Sequence, residues 1–580
     1  MTILEQIKQA LFTHLHTTYG FDPATADRGS FSLNTSEQKQ QFGDISSNVA
    51  LLLAKEQNKY DSTPQEVSPI DAAFRPTLIH TQPLAIEKTI NPRHIAQEIA
   101  ASFTHSHIAK IEVAGPGFLN FFLTSKTWEI LAFELFTNTE SFFKLPANTP
   151  KKHYSIEFVS ANPTGPLHLG HGRGGIIGDV LGNVLRFLGH QVAKEFYVND
   201  AGAQIEKLGR SLKIRCQQAA GQDIALPEEA YHGEYLLELA KKLLHEQGSA
   251  VLERPETFFQ EYGKKELLEK IKQTLELYGI TFDVWFSEKT LHQSGAIETA
   301  LQELQKKGYL YEKDGALWFT ATQFGDDKDR VVRKASGELT YAAADIAYLK
   351  NKIDRGAQHL IMVLGHDHHS YEVRMQCIRS ALGLSAPLDI ILYQLVKMKS
   401  EGQFVRMSKR AGNIVTLLDV IEAIGTDVAR FFYLNRKADA QLDFDLELAM
   451  KKTEENPVYY AQYAYVRTGS ILEKAAQETT LQNIGTQDCA GLSTAEALLI
   501  KKIVELKDLL ETIAHNEQTH LLTYYVLELA QTFHGYYSKN RVIDLENIPQ
   551  SRARLLTIHL VRNTLGTALT LLGISRPEKM

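Results

Sequence analysis

The period of hydrophobic and polar positions changes several times along the chain, and each change marks an element. Residues 2–18 carry apolar side chains at helical spacing, and a second helical stretch falls around 45–57. A polar stretch at 58–70 follows. Farther on, "AKIEVAGPGFLNFFLT" alternates like strands, residues 126–145 turn helical, and "KLPANTPKK" reads as a linker. The pattern predicts an α+β unit over 1–125, then a helix and linker over 126–150.

From residue 151 strands and helices alternate. A strand at 154–160 leads to a helix at about 170–188 and then to a strand in "QVAKEFYVND". After a mostly helical interval at 201–280, "HLIMVLG" (359–365) and "LDIILYQLVKM" (388–398) read as buried strands with a helix between them. Such alternation predicts an α/β fold: a split, doubly wound, Rossmann-like parallel sheet over 151–400, interrupted by a helical insertion at about 205–285. A loop and connecting helices fill 401–455, and every segment of 456–580 is helical, which predicts an all-α bundle.

Composition narrows the classes. The chain has 580 residues, 44% of them hydrophobic and 23% charged, enough for several cores. Its net charge of −7 shows no overall basic excess, although a local basic groove suffices for nucleic acid. Cys216, Cys377 and Cys489 lie far apart and form no CxxC, which argues against a zinc framework or disulfides and fits a reducing compartment. The start "MTILEQIKQALF" reads as an amphipathic helix, not a signal peptide, and no apolar run looks long enough to cross a bilayer. A cytoplasmic protein without a membrane partner is the expectation.

The chemistry concentrates in "YSIEFVSANPTGPLHLGHGRGGIIG" (154–178), where a strand and a Pro-Gly turn open a helix holding five glycines. Each glycine costs a helix interior about 1 kcal/mol relative to alanine. Close packing of helix on sheet is one explanation. Another is a ligand pressing on the backbone: a helix amino terminus suits phosphates, and Gly170, flanked by His168 and His171, leaves room for a flat base. Gly170, Gly172 and Gly175 also spell G-x-G-x-x-G, but two prolines separate them from the strand, which argues against a dinucleotide site. The second candidate is "EGQFVRMSKRAGNIV" (401–415), placing Arg406, Lys409 and Arg410 between Gly402 and Gly412 at the carboxyl edge of the same sheet. Cations there can stabilise a departing polyphosphate. Neither stretch is a P-loop.

"HLGH" (168–171) resembles the HIGH signature of class I aminoacyl-tRNA synthetases, and "RMSKR" (406–410) resembles their KMSKS loop, with Arg406 in place of the first lysine. "VNDAGAQ" (198–204), "YAAAD" (341–345), "LGHDHHSY" (364–371), "GTDVARFFYLNRKADAQLDFDLELA" (425–449), "GDISSNVALLLAK" (43–55) and "GPGFLNFFL" (115–123) are similar to stretches of the arginyl-tRNA synthetase family. The family's D-A-L-R is here Asp427-Val428-Ala429-Arg430.

The resemblance implies ATP-dependent ligation of L-arginine to tRNA(Arg) through an arginyl-adenylate. It implies catalytic roles for His168, His171 and Lys409, and ATP contacts from Pro166, His168, Gly170, His171, Arg406, Met407, Ser408 and Lys409. The arginine pocket would be Glu157, Ser160, Asn162, His171, Tyr341, Asp345 and Asp367, with Tyr341 and Asp345 four apart on one helix face. Carboxylates suit a guanidinium, and a site built on such bonds needs no editing step. ATP would enter as a substrate with Mg2+; no tightly bound cofactor and no resident metal are expected, and a monomer is. "GHDHHSY" (365–371) also suggests a metal site or a manganese phosphoesterase motif, but their companion ligands are missing from the sequence, and the plainer reading is a loop after a strand that helps shape the substrate pocket. In the bundle, Tyr459, Tyr463 and Arg467 are candidates for tRNA contact, with ordinary core packing as the alternative for the tyrosines. A non-catalytic RNA-binding relative would be expected to have lost the histidines or Lys409, and a cysteine-specific synthetase would need zinc ligands.

Overall fold

The computed structural model of the chain describes residues 2–23, 30–35, 37–61, 91–366, 369–400, 403–404 and 415–580. They group into two compact units. The first comprises residues up to 146 with 467–508 and 531–564; the second comprises 147–466 with 509–530 and 565–580.

The first unit opens with the helix Ile3–Tyr19, whose apolar stripe Ile3, Leu4, Ile7, Leu11 and Leu15 is buried. Thr2 and Glu5 form a reciprocal cap at its start, and Gly20, at φ 68°, ends it in the left-handed conformation. A four-stranded antiparallel sheet follows, ordered Ser32–Leu33, Ile45–Ser47, Phe118–Leu123, Ile108–Ala114. The helix expected from residue 45 therefore starts later, at Val49–Asp61. Ile45 to Ser47 instead pair with Phe121 to Leu119, which their β-branched and hydroxyl side chains suit. Lys501 binds Asp44 at 2.6 Å, and Lys507 donates to the carbonyls of Phe142 and Lys144.

The second unit is built on a parallel sheet. Its strands and the helices around them are β1 (His153–Phe158), α1 (Leu169–Phe187), β2 (Gln191–Val198), β3 (Val284–Ser287), α2 (Tyr341–Asp354), β4 (His359–Gly365), α3 (His369–Leu382), β5 (Leu388–Tyr393) and α4 (Thr426–Leu434). The spatial order is β5-β4-β1-β2-β3, all parallel. The strand order reverses between β1 and β4, where open α/β sheets bind ligands beyond the carboxyl ends of their strands. β1 is buried from Tyr154 to Phe158 and β4 from Leu360 to Val363, as a sheet covered on two faces requires.

The insertion after β2 is helical, with Ala203–Ala219, Glu234–Gln247 and Glu256–Leu277 packed around Leu208, Leu212, Leu239 and Phe259. Two features differ from the sequence reading. "LDIILYQLVKM" does not run as one strand. β5 stops at Tyr393, and Val396–Ser400 pairs with Leu442–Asp445 in another sheet. Between them Gln394 donates to the Ala438 carbonyl, and its own carbonyl accepts from Arg173, so the chain is turned off the first sheet. A three-stranded antiparallel sheet, Leu310–Lys313, Ala316–Phe319 and Arg330–Arg333, was not anticipated. Its first turn is Asp314-Gly315, both residues at positive φ (55° and 73°), the geometry that two-residue hairpins favour.

Among the described residues one helix, Ile548–Leu572, is long and apolar enough to cross a membrane, contrary to the sequence expectation. Its most apolar window is 72% buried inside the protein, so it is a core helix.

Candidate active site

β1 ends in a sharp turn. Val159 and Ser160 adopt positive φ (67° and 40°), and the Ser160 N–H bonds back to the Phe158 carbonyl at 2.9 Å, closing a three-residue turn. A β-branched residue in that region is strained, and such strain persists only where surrounding contacts over-determine it. Here the Ser160 hydroxyl supplies two: it donates to Glu157 Oε1 at 3.1 Å and accepts the Tyr197 N–H at 3.1 Å. The turn leads the chain across the sheet edge to α1.

His168 caps α1. Its Nδ1 accepts the Gly170 N–H at 3.1 Å, while Nδ1 of His171 accepts the His168 N–H at 3.2 Å, and the two rings stack 3.6 Å apart. The backbone around His168 is pinned from a distant part of the sequence. The Leu169 N–H donates to the Val415 carbonyl and the Leu417 N–H to the Leu167 carbonyl. The chain that emerges from the second candidate motif is thus bonded directly to the first.

The glycines of α1 divide by neighbour. A methyl group at Gly178 would lie 2.3 Å from the Phe158 ring, and one at Gly174 would lie 2.6 Å from Tyr393. Those positions are glycine because helix and sheet touch. At Gly170 a methyl would meet only the cap's own His168 ring, at 3.0 Å, and Gly170 lines the cavity. Close packing accounts for the former and access for the latter.

A cavity of about 690 Å3 opens at the switch point between β1 and β4. Its walls include Glu157, Ser160, Asn162, His168, Gly170, His171, Tyr341 and Asp345, so most of the expected residues are brought together. Pro166 is exposed and does not line it. Asp367, Arg406, Met407, Ser408 and Lys409 lie outside the described residues. Tyr459 and Tyr463 are half-buried one helical turn apart, and Arg467 stacks over the Tyr537 ring at 5.1 Å.

The cavity also holds residues that sequence reasoning missed: Tyr197, Asn199, Glu288, Tyr371 and Arg374. Three carboxylates, Glu157, Glu288 and Asp345, therefore share one space. Asp345 accepts the Tyr371 hydroxyl at 2.7 Å, and its second oxygen has no hydrogen-bond partner among the described residues. Burial, helped by Glu157 and Glu288, pushes its carboxyl up to about 7 against the opposing pull of Tyr371 and Arg374. Burial likewise raises Glu288. Such a site is poised to exchange a proton for a cation.

At the opposite end of the sheet His359, Asp389 and Glu517 form the metal-competent cluster found among the described residues. The imidazole bonds to Asp389 and holds its carboxyl below the usual range, while burial together with Asp389 pushes Glu517 up to about 8.

Comparison with known proteins agrees with this architecture. Residues 4–123 match the arginyl-tRNA synthetase N-terminal domain, 137–443 the class I (R) tRNA synthetase catalytic domain, and 461–580 the DALR anticodon binding domain. The arginine–tRNA ligase of Oceanobacillus iheyensis is 38% identical over the full length of both chains, and that of Bacillus subtilis is 43% identical over 84% of this chain and 89% of its own. A putative arginyl-tRNA synthetase from Campylobacter jejuni superposes with a TM-score of 0.73 at 34% identity, covering 79% of this chain and 100% of its own. The Thermus thermophilus arginyl-tRNA synthetase shares the fold across both full chains, with a TM-score of 0.74 at 19% identity. With three successive domain matches and full-length relatives at this identity, the chain belongs to the arginyl-tRNA synthetase family.

Proposed function

We infer that the protein is an arginine–tRNA ligase that activates L-arginine with ATP and transfers it to tRNA(Arg). The observation that carries this reading is the composition of one cavity: stacked histidines at a helix amino terminus and three carboxylates share its walls. The arginine carboxylate attacks the α-phosphate of ATP, forming arginyl-adenylate and releasing pyrophosphate. A ribose hydroxyl of the terminal adenosine of the tRNA then attacks the adenylate carbonyl, forming the arginyl ester and releasing AMP. No protein nucleophile is needed, so the residues act by positioning and by charge stabilisation.

His168 and His171 contact the phosphates, Gly170 admits the adenine and Lys409 stabilises the departing pyrophosphate. Arg406, Met407, Ser408 and Pro166 complete the nucleotide contacts. Magnesium enters bound to ATP as part of the substrate. The guanidinium is taken by Asp345 and Glu288, the two cavity carboxylates whose charged forms the empty site disfavours and a bound cation would favour. Glu157, Ser160, Asn162, Tyr341 and Asp367 complete the arginine site.

Residues 1–125 contact the outer corner of the tRNA, and 456–580 bind the anticodon, with Tyr459, Tyr463 and Arg467 among the contacts. The enzyme acts as a cytoplasmic monomer and does not deacylate mischarged tRNA; hydrolysis of such a tRNA by the pure protein would contradict that last point. The deciding experiment is amino-acid-dependent ATP–pyrophosphate exchange with and without tRNA. Exchange with arginine alone, appearing when tRNA is added, is the expected result. Absence of exchange with every amino acid would mean that the motifs serve binding only.

A further inference from the structure

We propose that Lys352 is a positioning residue for arginine binding, fixing through its ion pair which of the Glu157 oxygens faces the cavity. The proposal rests on the arginine-ligase reading and adds to it a residue that does not itself touch the cavity.

Glu157 and Glu195 are register partners on β1 and β2, so both side chains project from the same face of the sheet. Both are buried, at 5% and 0% exposure. Two neighbouring carboxylates out of water cannot both ionise without cations beside them. α2 crosses over this pair and presents Tyr341, Asp345, Tyr348 and Lys352 at spacings of four, three and four, which is one helix face. The first two reach the cavity, and the last two reach the acids.

The cations are divided unequally. Glu195 accepts the Tyr348 hydroxyl and pairs with Arg355 at 2.6 Å. Glu157 pairs with Lys352, Nζ to Oε2 at 2.6 Å, while Lys352 stands 3.8 Å from Glu195. Among the described residues Lys352 is the cation within ion-pair reach of Glu157. It approaches from behind, since Glu157 lines the cavity and Lys352 does not. With Oε2 engaged there, Oε1 is left to the cavity side, where the Ser160 hydroxyl also holds it. Without Lys352, the Glu157 carboxylate would lose the ion pair that orients it and cease to be a fixed acceptor for a cationic substrate.

The test measures arginine and ATP KM for tRNA charging at neutral pH in wild type, Lys352→Met, Glu157→Gln and the double variant. Lys352→Met is expected to raise arginine KM about tenfold or more at pH 7, with ATP KM changed less than about twofold. The double variant should match Glu157→Gln alone, since Lys352 acts through Glu157. Lys352→Gln, which keeps a hydrogen bond without charge, gives the same readout if the methionine variant does not fold. An unchanged arginine KM, an equal rise in ATP KM, or additive losses in the double variant would overturn the proposal. A wild-type enzyme inert toward arginine would overturn the ligase reading with it, whereas normal wild-type charging isolates the failure to Lys352.

Discussion

The guanidinium of Arg430 lies 2.5 Å from the carboxylate of Asp179, deep under the helix that carries the stacked histidines. Lys194 grips the other oxygen of Asp179 at 2.6 Å, and the remaining Arg430 donors bond to the carbonyls of Leu572 and Tyr278. Burial acts to raise the Asp179 carboxyl, but the two cations outweigh it and hold it below the usual range. Arg430, the last residue of the Asp427–Arg430 tetrad, is thus an internal brace for α1.

Removing that brace should be costly. Arg430→Leu leaves two backbone carbonyls and half of a buried carboxylate without partners, and a loss of about 3–5 kcal/mol is expected. Urea unfolding followed by tryptophan fluorescence measures it. A loss below about 1 kcal/mol would mean that water reaches Asp179 and the brace is weaker than its geometry implies.

Arginine binding should depend on pH through Asp345. Its carboxyl titrates near about 7 in the empty site, and it must ionise to accept a guanidinium. Affinity for arginine should therefore rise with pH up to about 7 and level off above it, falling by up to about tenfold for each pH unit below. Titration calorimetry from pH 5.5 to 8.5 reads this directly. Tyr371→Phe removes a bond that favours the ionised form, so the midpoint should move upward; a downward shift would contradict the assigned hydrogen bond.

Stability should move the opposite way. In the unfolded chain an aspartate titrates near about 3.9, well below its folded value, so folding favours the protonated acid. That contribution is whole below about pH 4 and is lost as pH rises through about 7. Asp345→Asn should therefore raise the thermal midpoint of the empty enzyme at pH 8 and leave it nearly unchanged at pH 4, while abolishing charging. Glu517→Gln should also stabilise at high pH, because Glu517 ionises only near about 8, but it should leave arginine KM untouched. A raised arginine KM in Glu517→Gln would refute the separation of the two sites.

The glycines offer a paired test. Gly178→Ala drives a methyl into the Phe158 ring and should cost about 1–3 kcal/mol by overpacking. Gly170→Ala should leave the melting temperature within a few degrees of wild type, yet raise ATP KM several-fold. Thermal scanning and exchange kinetics on the two variants separate packing from access.

Much of this site was legible in linear form. The strand–turn–helix around "HLGH", the strand at 359–365 and the Tyr341–Asp345 helical pair all follow from local periodicity, and the structure has each of them. Glu288, Tyr371 and Lys352 were not legible, because their relevance lies in approach across the sheet between positions far apart in sequence. No spacing rule relates Lys352 to Glu157, 195 residues away. Asp314-Gly315 is a different kind of miss: the hairpin signal stands in the sequence, and flanking strands of four residues each were too short to show alternation. The run at 388–398 misled because hydrophobicity continues through Gln394, while the Arg173 bond that breaks the strand comes from α1.

The central position of β1 has a consequence for how the chain is made. Its two neighbours are β2, which follows after one helix, and β4, which is synthesised about 200 residues later. At about 5–20 residues per second, one edge of the central strand waits some 10–40 s for its partner. During that interval a buried-type strand is open to pairing with other chains, the hazard that edge strands carry. A ribosome pausing within the helical insertion would lengthen the exposure, so synonymous codon choice between residues 203 and 277 should affect the yield of active enzyme more than codon choice after β5.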